Sequence, residues 1–286
     1  MRPTQSNSLK ALSRALAAAA LWAAAIHGQT ACGEVPQANA LDAGYENMYN
    51  LQFVAAHQIF ARYQQSHPDD PMGPVSNAAA YLFCEFNRLN ILRSDFIANN
   101  KSFLAGSKIA PDPKVVTDFD ADLAKALQLA KARLKKNPAD HDALLGLVLA
   151  TALDAHYKAL IQKRYRQALR EIEQSQGESL ELLKICADCY DGYLATGFEN
   201  YLLSQKPGPE RWLLRRTGAQ TNKQIGIHEL KIVADKGHYL KPYAKVLLAI
   251  VALRDNKKQE ARSYLAELSE EFPHNDLFRQ ELQKLS

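Results

Sequence analysis

From Leu41 onward, apolar residues recur three and four positions apart in one segment after another, with polar residues between them, which is the spacing of amphipathic helices. No stretch alternates apolar and polar residues long enough to predict a sheet, and β-branched runs are scarce. The pattern predicts helices at 41–50, 53–66, 74–93, 117–136, 142–162, 165–174, 180–203, 221–236, 242–254, 257–271 and 276–285. The expected fold is all-α. His-Pro-Asp-Asp-Pro at 67–71 and Asn-Pro-Ala-Asp at 137–140 interrupt the periodicity as turns. The irregular stretches at 99–116 and 204–220 are longer than turns, and long loops among short ones are where function concentrates.

Internal repetition sharpens the picture. Ala249, Ala261, Leu265 and Pro273 stand at spacings that recur in Gly44, Ala56, Phe60 and Pro68, and in part in Ala126, Ala130 and Pro138. Each type has a physical role. The small residue lets two helices approach closely, the large one four positions on packs into the next hairpin, and proline ends the helix. Gly226 and Leu230, followed by Gly237 and His238 where proline would stand, give a divergent copy 35 residues before the last. Ala56 and Ala126 are 70 residues apart, which predicts a degenerate repeat between them with Tyr81 in its first helix.

These spacings resemble the tetratricopeptide-repeat superfamily over residues 41–286, as a divergent bacterial exported member. The tryptophan near the start of each repeat is absent, and Ala130 replaces a large aromatic. The resemblance implies a right-handed α-solenoid of about five antiparallel hairpins, closed by the polar helix at 276–285. It also implies a scaffold without enzymatic activity or cofactor, binding a protein or peptide in a concave groove lined by the first helix of each repeat. Asn47, Tyr81, Asn87, Tyr157 and Tyr190 are the groove candidates. A second candidate surface is Tyr201 with Arg211, Trp212 and Arg215, where tryptophan flanked by arginines suits a membrane surface or an acidic partner.

The first forty residues read as an address. An uncharged run at 15–26 follows Arg2, Lys10 and Arg14 with no acid, the layout of a secretory signal and too short to span a bilayer comfortably. Residues 1–40 are therefore expected to be a signal peptide or lipoprotein-type leader with a short linker, and 41–286 the repeat domain. Cys32 is the candidate lipidation site, although the residues before it only partly match a lipobox. The expected location is the periplasm or outer membrane, with membrane association through the leader or a lipid anchor. Without Arg2, Lys10 and Arg14 the formal charge falls from +4 to +1, too little to predict a nucleic-acid partner.

The compact chemical motif is Cys186-Ala-Asp-Cys189, compatible with a disulfide, a redox pair or half of a metal site. Its predicted position inside a helix at 180–203, away from a helix start, favours a disulfide. The alternatives to a peptide scaffold are an envelope thiol-disulfide protein working through Cys186 and Cys189, and a lipid-anchored outer-membrane assembly factor. No metal site is predicted, because the eight histidines lack pairing on one helix face and there is no second Cys-x-x-Cys. Asp118, Asp120 and Asp122 read as an acidic helix start.

Overall fold

Short polar caps determine where several helices begin. Asp112 accepts from the backbone N–H of Lys114 with Pro113 in the first helical position, Asp140 from Ala143, Asn222 from Gln224 and Ile225, and Asn275 from Leu277. The computed structural model describes residues 40–93, 109–205 and 222–285, within the unit Asn39–Ser286. Among these residues there are α-helices and no strand: α1 (Ala40–Tyr49), α2 (Phe53–Ser66), α3 (Met72–Arg88), α4 (Pro113–Lys136), α5 (His141–Leu160), α6 (Tyr165–Ile185), α7 (Tyr193–Ser204), α8 (Lys223–Lys236), α9 (Lys241–Arg254), α10 (Lys258–Glu271) and α11 (Asp276–Gln283). A 3-10 turn, Tyr190–Gly192, precedes α7.

The helices pack in succession, and each makes its most extensive contact with its hairpin partner: α1 with α2, α3 with α4, α5 with α6, α7 with α8, α9 with α10. Among the first helices α1 also touches α3 and α3 touches α5, and α11 covers α10. Among the described residues this is an α-solenoid of five antiparallel helix hairpins with a terminal cap. The first helices of four hairpins are followed by a residue in the left-handed region, Leu51, Asn90, Lys163 and Asn256. After each of them the next N–H returns to the helix, Gln52 to Asn47, Ile91 to Phe86, Arg164 to Lys158 and Lys257 to Ala252, which satisfies a terminal carbonyl and turns the chain into the second helix.

The repeated small residues act where the spacing places them. A Cβ on Gly44 would lie 2.2 Å from the Phe60 ring, and one on Gly226 would lie 2.6 Å from the Gly197 carbonyl and the Tyr201 backbone nitrogen. Ala56, Ala126, Ala130 and Ala261 are fully buried in second helices, and Phe60 and Leu230 fill the large positions.

Three expectations are corrected. Among the described residues no repeat stands between those of Ala56 and Ala126: α3, which carries Tyr81, pairs with α4, which carries Ala126, and residues 94–108 lie outside the described residues. The helix expected to stop at Gln174 continues to Ile185, because the polar residues that follow are buried with partners on neighbouring elements. The Ser175 hydroxyl donates to the Val148 carbonyl and the Ser179 hydroxyl to that of Gly192. The Cys186-x-x-Cys189 motif is then not inside a helix but in the turn between α6 and α7.

Candidate functional site

The inner faces of the first helices are apolar and meet one another. Tyr45 of α1 stacks on Tyr239 ahead of α9 with ring centroids 4.8 Å apart, and Phe83 of α3 meets Tyr243 of α9 edge-on at 5.3 Å. His156 of α5 meets Tyr243 at 6.1 Å and Phe198 of α7 at 5.4 Å. Hydrogen bonds join the first hairpin to the last. The Tyr49 hydroxyl donates to the Tyr239 carbonyl, Asn275 Nδ2 to the Tyr49 carbonyl, and the His274 N–H to Asn50 Oδ1. The groove expected to hold an extended peptide is therefore occupied by the chain's own aromatic side chains.

The five groove candidates do not share a surface. Tyr157 is buried against Phe119 of α4, and Tyr81 lies on His57 of α2 with ring centroids 4.0 Å apart. Burial together with Asp118 and Asp122 of α4 raises the Tyr81 hydroxyl's pKa. Asn47 Nδ2 bonds back to the Ala43 carbonyl of its own helix, and Asn87 is exposed at the end of α3. Tyr190 sits beside the Cys186–Cys189 turn, bonded to Asp188 under the Lys236 ammonium. On the second surface Tyr201 is buried, with its hydroxyl lacking a hydrogen-bond partner. Arg211, Trp212, Arg215 and Cys32 lie outside the described residues.

Two buried carboxylates were invisible to the sequence reading. In three turns between hairpins an acid or amide stands just before the next first helix: Asp70, Asp140 and Asn275. The turn before α9 has Leu240 there, and Asp191 of the 3-10 turn supplies the missing acceptor, taking the N–H groups of His238, Tyr239 and Leu240 at 2.9, 2.9 and 3.2 Å. Burial raises its carboxyl pKa, and those three donors oppose the rise. Gly237 makes room for it, since a Cβ there would be 2.8 Å from Asp191 Oδ1.

Glu199 of α7 is the opposite case. It is fully buried and neither carboxylate oxygen has a hydrogen-bond partner. Burial, helped by Glu173, pushes its pKa up to about 8, so the acid is neutral at neutral pH. Burial holds His156 down to about 4, so the inner face carries a neutral imidazole.

Cys186 and Cys189 form a disulfide, and Cys84 is a half-buried free thiol. Among the described residues no group of three or more His, Cys, Asp or Glu side chains is placed to hold a metal ion. Helix α5 is long and apolar enough to cross a membrane, but 56% of that stretch is buried inside the solenoid, as suits a core helix.

The edge where first helices turn into second helices differs from the opposite one. Val54, Tyr165 and Ile225 are exposed, all in the first turn of a second helix. Beside Tyr165 stand Arg164, Arg166 and Arg170, which form no ion pair among the described residues and line an open depression with Lys163 and Gln167. The other edge carries charges of both signs, with Asp70 and Asp140 paired to Arg133 beside Lys135, Lys136, Lys236 and Lys241.

A crystal structure of a thermophilic TPR protein from Thermus thermophilus is similar over 86% of this chain and 97% of that one, at 16% sequence identity and a TM-score of 0.44. No family model and no curated protein matches the chain.

Proposed function

We propose that this tetratricopeptide-like chain is a non-enzymatic scaffold of the bacterial cell envelope that binds a protein partner on the outer edge of its solenoid. The observation that carries the reading is the set of exposed apolar side chains Val54, Tyr165 and Ile225, in the first turns of the second helices α2, α6 and α8, with Tyr165 inside the cationic cluster of Arg164, Arg166 and Arg170. Apolar anchors inside a cationic rim suit an acidic protein surface, where charge steers encounter and a few buried side chains hold it. The inner groove is a poorer candidate because its aromatic residues are already paired. The envelope location rests on the leader-like run at 15–26.

Capture of partners from an envelope fraction by the wild-type chain and by the triple variant Arg164→Glu, Arg166→Glu, Ile225→Asp tests the edge. The reading expects a specific partner that the variant loses while its melting temperature is unchanged. Equal capture by both proteins, or no capture by either, contradicts it.

A further inference from the structure

Four of the turns between hairpins share one backbone form. The first residue is extended, with φ of -130° at His67, -139° at Asn137, -140° at Cys186 and -123° at Phe272, and its N–H closes the preceding helix. The fourth residue's N–H returns to the first residue's carbonyl, Asp70 to His67, Asp140 to Asn137, Cys189 to Cys186 and Asn275 to Phe272, at 3.0 to 3.2 Å. What holds the form differs. In three turns the second residue is proline, Pro68, Pro138 or Pro273, and the fourth residue's side chain accepts an N–H of the next helix: Asp70 from Met72, Asp140 from Ala143 and Asn275 from Leu277. In the turn after α6, Ala187 stands in place of proline and Cys189 in place of the acid or amide, and no side chain caps the 3-10 turn that follows. The Cys186–Cys189 bond, from first residue to fourth, replaces both restraints. Proline and a polar cap are permanent, whereas a disulfide is removed and restored by exchange with thiols.

The fifth turn, at 237–240, has neither proline nor a fourth-position acid, and Asp191 holds its N–H groups from outside. Asp191 lies two residues beyond Cys189, in a 3-10 turn joined to the disulfide by the Gly192 N–H on the Cys189 carbonyl at 2.9 Å. Tyr239, seated by Asp191, stacks on Tyr45 and accepts from the Tyr49 hydroxyl. The disulfide therefore heads a continuous series of contacts that runs through Asp191 to the junction of the last hairpin with the first. It also lies at the surface, because both cysteines are half-buried and Ala187 and Asp188 between them are exposed.

We propose that Cys186–Cys189 is a reducible lock, a site of thiol-disulfide exchange with a dithiol, whose opening frees the 238–240 turn and loosens the seat of Tyr239 on the first hairpin. A thiolate of the dithiol attacks one sulfur of the pair and the S–S bond breaks, leaving a mixed disulfide and one free cysteine. The second sulfur of the dithiol then displaces the other cysteine. The dithiol departs as its own disulfide, and its two electrons and two protons end on Cys186 and Cys189. The inference does not depend on the protein-partner reading above, because this turn and the outer edge share no residue.

Hydrogen exchange of the full chain with and without dithiothreitol, with alkylation of the peptide that carries Cys186 and Cys189 to report their state, tests the lock. Reduction is expected to speed exchange of the 238–240 amides at least tenfold and to raise hydroxyl-radical labelling of Tyr45 severalfold. The oxidised chain, in urea chosen to match the reduced chain's lower stability, is expected to show neither change. The variant Cys186→Ser, Cys189→Ser should behave as the reduced chain under both conditions. The variant Cys186→Asn, Ala187→Pro, Cys189→Asp, which gives this turn the restraints of the one after α4, should keep 238–240 protected with or without the dithiol. If one variant fails to fold, the wild-type comparison and the other variant carry the test. A disulfide that dithiothreitol leaves intact in the folded chain, unchanged exchange at 238–240 or unchanged labelling of Tyr45 after full reduction, or the same changes in matched urea would overturn the proposal.

Discussion

Raising the pH above neutrality is expected to destabilise the protein through one side chain, Glu199. In the folded chain its carboxyl has a pKa of about 8, against an ordinary value of 4.5 that it recovers on unfolding. Above the lower value the unfolded chain releases a proton that the folded chain keeps, so folding takes up a proton and stability falls as pH rises toward the folded value. At roughly 1.4 kcal/mol per unit the full loss is on the order of 4 to 5 kcal/mol, complete above about pH 8. His156 acts in the opposite sense. Its pKa of about 4 lies below the ordinary 6.5, so its stabilising effect is lost as pH falls between those values. The two slopes offset one another at acidic pH, and Glu199 acts alone from about pH 6.5 to pH 8, where about 2 kcal/mol should disappear. Urea unfolding at several pH values reads this directly. Glu199→Gln, which keeps the shape and cannot ionise, is expected to remove the alkaline slope and exceed the wild type in stability above about pH 8. Parallel curves for the two proteins across that window would refute the placement of an unpaired carboxyl between α6 and α7.

Other substitutions test the packing. Gly226→Ala brings a Cβ against two backbone atoms and is expected to cost about 1–3 kcal/mol or more in urea unfolding, whereas Gly177→Ala, with nothing within 4 Å of its Cβ, should stabilise α6 by about 0.5–1 kcal/mol. Asp191→Ala should expose the amides of His238, Tyr239 and Leu240 to hydrogen exchange and cost about 2–4 kcal/mol, and Asp191→Asn should cost less because one acceptor oxygen remains. Reducing Cys186–Cys189, which closes a loop of sequence separation 3, should lower stability by about 2 kcal/mol without unfolding the chain; global unfolding on reduction would contradict its place in a peripheral turn.

The parts legible in the sequence are those set by short-range spacing. Helix α2 runs from Phe53 to Ser66 as its periodicity predicts, and the alanine, leucine and proline of the last repeat mark α10 because each acts within its own hairpin or on the next element in the chain. Polar residues misled where tertiary contacts satisfied them: Ser175 and Ser179 fell at an expected helix break but bond to carbonyls of neighbouring elements, so α6 runs through Gly177 and the break falls at Cys186. Asp191 left one trace, the apolar Leu240 at a position where other turns carry Asp or Asn. The closure of the inner face left none. It depends on small rotations between hairpins that add up until Tyr45 reaches Tyr239 and Asn50 reaches His274, and no local spacing encodes that sum.

That closure is the central feature of the account, since it moves partner binding to the outer edge. Hydroxyl-radical footprinting of the full chain in solution tests it most directly. Tyr45 and Tyr49, each 5% exposed, are expected to resist modification while Tyr165, at 37%, is labelled readily. Labelling of Tyr45 and Tyr49 as fast as Tyr165 would show an open groove and contradict the account.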